Sequence, residues 1–179
     1  MAGNNGIPDY SDWIDESDYE EIPWADPAIR AEYEAALGRL ILAHNDIDLH
    51  LTRLLEKCIK RLGDPGPLAK LKTGTFAQRL DNLRMLNAIS SDLRLRGLEF
   101  EELAFLNSER NIVAHGHFEQ EPHGGEYWLI GNKKTYDDYS TNRLNRITER
   151  LNAQRNRLSP LVAFYEVIIP DTPGITPVR

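Results

Sequence analysis

Cysteine is all but absent from this chain of 179 residues: Cys58 is the single one. A disulfide within the chain is therefore excluded, and Cys58 reads as a small buried hydrophobe on a helix. Long apolar runs are also missing. Stretches such as LVAF (161–164) and VII (167–169) fall far short of the roughly 18 to 20 residues that a membrane-spanning helix needs, so no membrane partner is expected. The N-terminus is polar and acidic and does not read as a signal peptide. Together with the lone cysteine, this points to a cytoplasmic protein. No Gly-rich phosphate loop, cysteine cluster or serine-nucleophile motif is present, and no internal repeat.

Positive charge is absent from the first 26 residues, which hold Asp9, Asp12, Asp15, Glu16, Asp18, Glu20, Glu21 and Asp26 but no Lys or Arg. The overall charge of −7 therefore misleads, because the rest of the chain sets 20 acids against 21 bases. Residues 1–26 are expected to be an acidic arm. It reads as a flexible, solvated tail, while Trp13, Ile14, Ile22 and Trp24, which interleave its acids, would also let it lie on a basic groove of the body or of a partner. The last ten residues, PDTPGITPVR, form a Pro-rich tail, 170–179. With 41% hydrophobic residues, the body, 27–169, can bury one core and form one domain.

The body has helical periodicity. Asp26 is an N-cap candidate followed by Pro27 at the first helical position. Ile29, Tyr33, Leu37, Leu40, Ile47, Leu51, Leu54 and Cys58 then recur every three or four residues up to Gly63, predicting one long helix. GDPGP breaks it. Thr75 and Gln78 form a capping-box pattern ahead of a second helix running to about Ser90, with Phe76, Leu80, Leu83 and Leu86 on its apolar face. A third helix runs from near Gly97 to Gly116, a natural C-cap residue. HFEQE and EYWLI then flank PHGG as a small hairpin, the only β structure expected. Leu144, Ile147, Leu151 and Leu158 mark a fourth helix, in which Pro160 either makes a kink or starts a new segment. The predicted fold class is all-α: an antiparallel bundle of four to five helices with a β-hairpin after the third.

ERNIVAHGHF, 109–118, closes the third helix with an unusual density of polar groups. Residues three and four apart share a helix face, which puts Asn107, Asn111 and His115 in one column. Arg110 extends the apolar stripe of Leu103, Leu106 and Val113, so its guanidinium points towards packed surface and needs an anionic or carbonyl partner. A purely structural reading pairs Arg110 with Glu102 or Glu109 and uses Asn111 and His115 as caps.

RNIVAH resembles the motif of the HEPN superfamily, an arginine followed by a polar residue, with a histidine separated from the arginine by four to six residues, near the end of a bundle helix. Arg110, Asn111 and His115 fit the four-residue spacing, and His117 fits the six-residue one. The layout over about 27–169 is similar too. The resemblance implies a HEPN-like fold and a metal-independent endoribonuclease needing no cofactor, with Arg110, Asn111 and His115 catalytic and Asn107 and His117 accessory. It implies a homodimer with a composite site, RNA as substrate, and a role as a toxin, a phage-defence factor or an RNA-processing effector. A non-catalytic HEPN-like module that binds a nucleotide or a protein is the alternative. An antitoxin or a nucleotidyltransferase is the partner class implied. Some members carry a modifiable tyrosine two residues after the histidine, and here that position is His117.

The residue types suit the reaction. An ordinary histidine titrates near pH 6.5 and can move a proton at neutral pH, while arginine offers a phosphate two parallel donors. Two weaker features stand beside the motif. HNDIDLH spaces His44 from Asp48, and Asp46 from His50, by four residues, as a helical metal site would. His44 also continues the apolar stripe, which makes it a core histidine, and no metal is expected. The row Arg143, Arg146, Arg150 and Arg157 could track an RNA backbone, but with Glu149 beside it, it also reads as a solvated face.

Overall fold

The computed structural model describes residues 23–62, 65–89, 95, 97–131 and 134–168; most of the acidic arm and the whole Pro-rich tail lie outside them. Helix α1 spans Pro27–Arg61, the single turn α2 Pro65–Leu68, α3 Phe76–Ile89, α4 Phe100–His115 and α5 Thr141–Ala163. A short 3₁₀ turn, Ala69–Lys72, precedes α3, and the last turn of α5 widens into a π-helix at Phe164–Ile168. The chain folds as a helical bundle with a small three-stranded antiparallel sheet.

The start signals act as their chemistry requires. The Asp26 carboxylate accepts from Ala28 N at 2.8 Å, satisfying one of the N–H groups that the first turn of α1 leaves free. Thr75 N donates to Gln78 Oε1 at 2.8 Å and Gln78 N to Thr75 Oγ1 at 3.3 Å, a complete capping box. α1 is the central element. It buries Leu40, Ile47, Leu51, Leu54, Leu55 and Cys58, and packs most extensively against α5 through Leu144, Ile147, Leu151 and Leu158. α3 adds Leu80, Leu83 and Leu86, and α4 adds Leu103, Leu106 and Val113.

The helix directions correct the expected antiparallel arrangement. Arg39 Nη2 meets Asn145 Oδ1 at 3.1 Å and Asp46 meets Arg155 at 3.6 Å, so α1 and α5 run the same way. α4 runs against α5, with Glu109 on Arg143 and Glu102 on Arg150. The cause is the segment after α1. Lys72 reaches Glu56, and Arg79 reaches Asp48, so the chain doubles back along α1 before α3 sets out. Pro160 starts no new segment; it lies inside α5. Its ring is exposed, and so is Asn156, whose carbonyl loses the N–H donor four residues on.

Strands β1 (His117–Gln120) and β2 (Tyr127–Ile130) form the expected hairpin, and β3 (Thr135–Tyr136), which the sequence did not suggest, pairs with β2. Tyr127 stacks on Tyr33 with ring centroids 3.9 Å apart, and the Tyr33 hydroxyl donates to Tyr139 O at 3.0 Å, which docks the sheet on the start of α1. The end of the expected arm docks here as well. Ala25 N donates to Pro122 O at 2.8 Å and the Trp24 ring stacks on His123, so 23–26 belong to the folded body. His123 is exposed, yet its ring stacks on Trp24 and its Nδ1 lies 3.3 Å from Pro23 O.

Gly116 ends α4, yet with φ −83° and ψ 160° it is not in the left-handed conformation of a C-cap glycine. Space explains it: a Cβ here would collide with Leu129 Cδ1 and lie 3.0 Å from Ile112 O, and Leu129 is fully buried. Gly116→Ala should therefore cost about 1–3 kcal/mol through overpacking. A urea midpoint equal to wild type would remove this account of the glycine.

Candidate functional site

A cleft of about 550 Å³ opens between α1, the start of α3 and the second half of α4. α4 lines it with Asn107, Arg110, Asn111 and His115, four of the five motif residues expected to act together. The helical spacing of these residues makes one wall of them. Asn111 and His115 are exposed at the rim, while Asn107 and Arg110 are half-buried. His117 is not on the cleft wall. The chain turns extended at Gly116, and His117 opens β1 as an exposed residue.

Arg110 does not have the partner that the structural reading gave it. Glu102 accepts two bonds from Arg150, each 2.7 Å, and Glu109 accepts from Arg143 at 3.0 Å and from the Tyr139 hydroxyl at 3.2 Å. Among the described residues no carboxylate pairs with Arg110. Its Nη1 donates to Asn111 Oδ1 at 3.2 Å, and its buried Nε has no partner there. Asn111 therefore steers the guanidinium, and does not cap a neighbouring chain end among the described residues. A buried guanidinium N–H without a partner is costly, and the cleft is where an anion could offset that cost.

The opposite wall holds residues given less weight in the sequence. From α1 come His44 and Asp48, and from the start of α3 come Thr75, Phe76 and Arg79. Arg79 is held by the Asp48 carboxylate and the Gly74 carbonyl. His44 is only 4% exposed; its ring packs on Phe76 and its Nε2 lies 3.3 Å from Asn107 Oδ1. It is the core histidine its stripe suggested, but with Nδ1 unpartnered among the described residues and one side on the cleft. The helical spacing of His44 and Asp48 was legible, but not that α4 would close over them.

Burial, and next the Arg110 guanidinium, lower the His44 pKa from its usual 6.5; the bond to Asn107 and the nearby Asp48 oppose this less strongly. A histidine harder to protonate when folded adds stability that is complete above the unfolded value, near 6.5, and is lost as pH falls through the lower folded value. The stability advantage of wild type over His44→Gln should thus shrink between pH 7.5 and 5. Urea midpoints separated by a constant gap over that range would count against it.

Among the described residues no three His, Cys, Asp or Glu side chains gather where they could hold a metal ion. Asp48 is turned to Arg79, and Asp46 lies by Arg155. The arginine row of α5 does not face open solvent as a free stripe. Arg143 pairs with Glu109 and Asp138, Arg150 with Glu102 and Arg157 with Glu99; Arg143 also covers the Tyr139 ring and Arg150 the Phe105 ring. These residues fasten α5 to α4 and to the loop before α5. Arg146 alone of the four has no ion pair among the described residues. No helix among the described residues is long and apolar enough to cross a membrane. No family model, curated protein or solved structure matches the chain.

Proposed function

We propose that the protein is a metal-independent endoribonuclease of the HEPN type, acting on RNA through Arg110, Asn111 and His115. One observation carries the reading: the three residues line one cleft, and among the described residues the guanidinium there is matched by no carboxylate. Arg110 binds the oxygens of a backbone phosphate, and Asn111 holds its fork in place. His115 takes the proton of the ribose 2′-hydroxyl, and a proton is delivered to the leaving 5′-oxygen by the same imidazole or its mate in the second copy. The ribose 2′-oxygen attacks phosphorus, the bond to the 5′-oxygen breaks, and the products are a 2′,3′-cyclic phosphate and a 5′-hydroxyl.

Two copies of the chain together form the working site. Leu42, 68% exposed, and Leu49, 49% exposed, share the outer face of α1 with Asn45, a residue of the cleft wall. They supply an apolar surface for a second copy beside the cleft. A role as a toxin or defence effector restrained by an antitoxin fits such an enzyme.

The test is to incubate the dimer with mixed RNA in excess EDTA and to analyse the product ends. Cleavage leaving 2′,3′-cyclic phosphates supports the reading. Binding of RNA or nucleotide without cleavage would replace it with a non-catalytic binding module.

A further inference from the structure

The cleft holds more donor groups than the proposed reaction uses. Its lining includes two arginines and one carboxylate, and that carboxylate, Asp48, is already bound to Arg79. Arg79 is mostly buried and fixed on both sides, so its charge stays in place without a ligand. Across from it, Arg110 keeps a buried Nε with no partner among the described residues.

Asn107 is the next donor, and His44 decides which end of its amide the cleft meets. A carboxamide can present either a carbonyl oxygen or an NH2 group. His44 is buried against Phe76, and burial and the Arg110 charge both favour its neutral ring, which has one N–H to give. Nε2 lies 3.3 Å from Asn107 Oδ1, and in the tautomer with its N–H on Nε2 that oxygen accepts it. In that tautomer the NH2 of Asn107, a residue of the cleft lining, is the end left for a ligand. This wall gives hydrogen bonds and receives few, which suits phosphate oxygens.

We propose that the cleft contains a phosphate subsite made by Arg79, Asn107 and Arg110, with His44 as the positioning residue that turns the Asn107 NH2 towards it. The subsite rests on the ribonuclease reading only for the source of its phosphate, since an RNA phosphodiester and a free nucleotide present the same oxygens.

Titration of the full-length, ¹⁵N-labelled protein with inorganic phosphate, with AMP and with an uncleavable 2′-O-methyl RNA tests this directly. Phosphate should shift the Asn107 side-chain NH2 and Arg110 Nε–H signals. His44→Leu keeps the bulk but removes the N–H donor, and should weaken phosphate binding about tenfold, the effect of one hydrogen bond to a charged group. His44→Gln can donate to the same oxygen and should restore most of the affinity. A purely structural His44 would give no such difference between the two folded variants. Asn107→Leu, on α4, reads the same subsite should His44→Leu fail to fold. Phosphate that moves neither signal overturns the subsite, and so does a folded His44→Leu or Asn107→Leu that binds phosphate as wild type does. A folded His44→Gln as weak as His44→Leu overturns the positioning role. RNA binding well above AMP assigns the phosphate to a polynucleotide, and the reverse order assigns it to a free nucleotide. Phosphate binding that depends on His44, in a protein that cleaves no RNA, leaves the subsite standing and removes the ribonuclease reading. Cleavage without the Asn107 shift does the opposite.

Discussion

On the proposed ribonuclease reading, His115→Ala should lose about 10² to 10⁴ in RNA cleavage rate and keep a melting temperature close to wild type. His115 is exposed at the cleft rim, on the last residue of α4, where a substitution away from packed features changes stability by about 0.5 kcal/mol or less. Arg110→Ala should lose activity on a similar scale, and its stability behaviour is the sharper test. An arginine kept for the fold would destabilise the protein when removed. Arg110 instead carries a buried, unmatched Nε and no carboxylate partner among the described residues, so its removal relieves a desolvation cost and should leave the urea midpoint unchanged or slightly higher. Arg110→Lys keeps the charge but not the two-pronged geometry, and should fall between the two. A large loss of stability in Arg110→Ala, or cleavage by both variants at the wild-type rate, would return the cluster to a structural role.

The parts of the fold that are local in the chain were legible in the sequence. Asp26 and Pro27 mark the start of α1, Thr75 and Gln78 that of α3, and the hairpin strands lie where their alternation put them. These features depend on residues a few positions apart. What depends on which face meets which neighbour was not legible. Periodicity places Arg143, Arg150 and Arg157 on one side of α5, but cannot say that Glu109, Glu102 and Glu99 wait opposite. It gives His44 a place in the apolar stripe of α1, but not that α4 brings Asn107 and Arg110 over it. The motif residues were found because they lie within nine positions of one helix. The other wall comes from 31 positions of sequence separation, between Asp48 and Arg79, and only the doubling back of the chain after α1 joins them.

That dependence of the cleft on α1 leads to the largest expected effect on stability. Ile47→Ala should cost about 2–5 kcal/mol, the range for truncating a fully buried aliphatic side chain, of which part is lost burial and part the cavity left behind. Ile47 sits between His44 and Asp48 on α1, fully buried, one turn before Leu51 on the same stripe. Its neighbours cannot easily collapse into the space, because α1 is held on one side by α5 and on the others by α3 and α4. In a domain of this size each kcal/mol moves the melting temperature by about 2–4 °C, so the loss should be plain in a thermal melt and in urea unfolding followed by far-UV circular dichroism. On the proposed ribonuclease reading, the variant below its transition should still cleave RNA within about tenfold of wild type, a loss of about 1.4 kcal/mol or less, since Ile47 does not line the cleft. A cost under about 1 kcal/mol would mean that α1 is not the central buried helix, and the placement of His44 and Asp48 against α4 would fall with it.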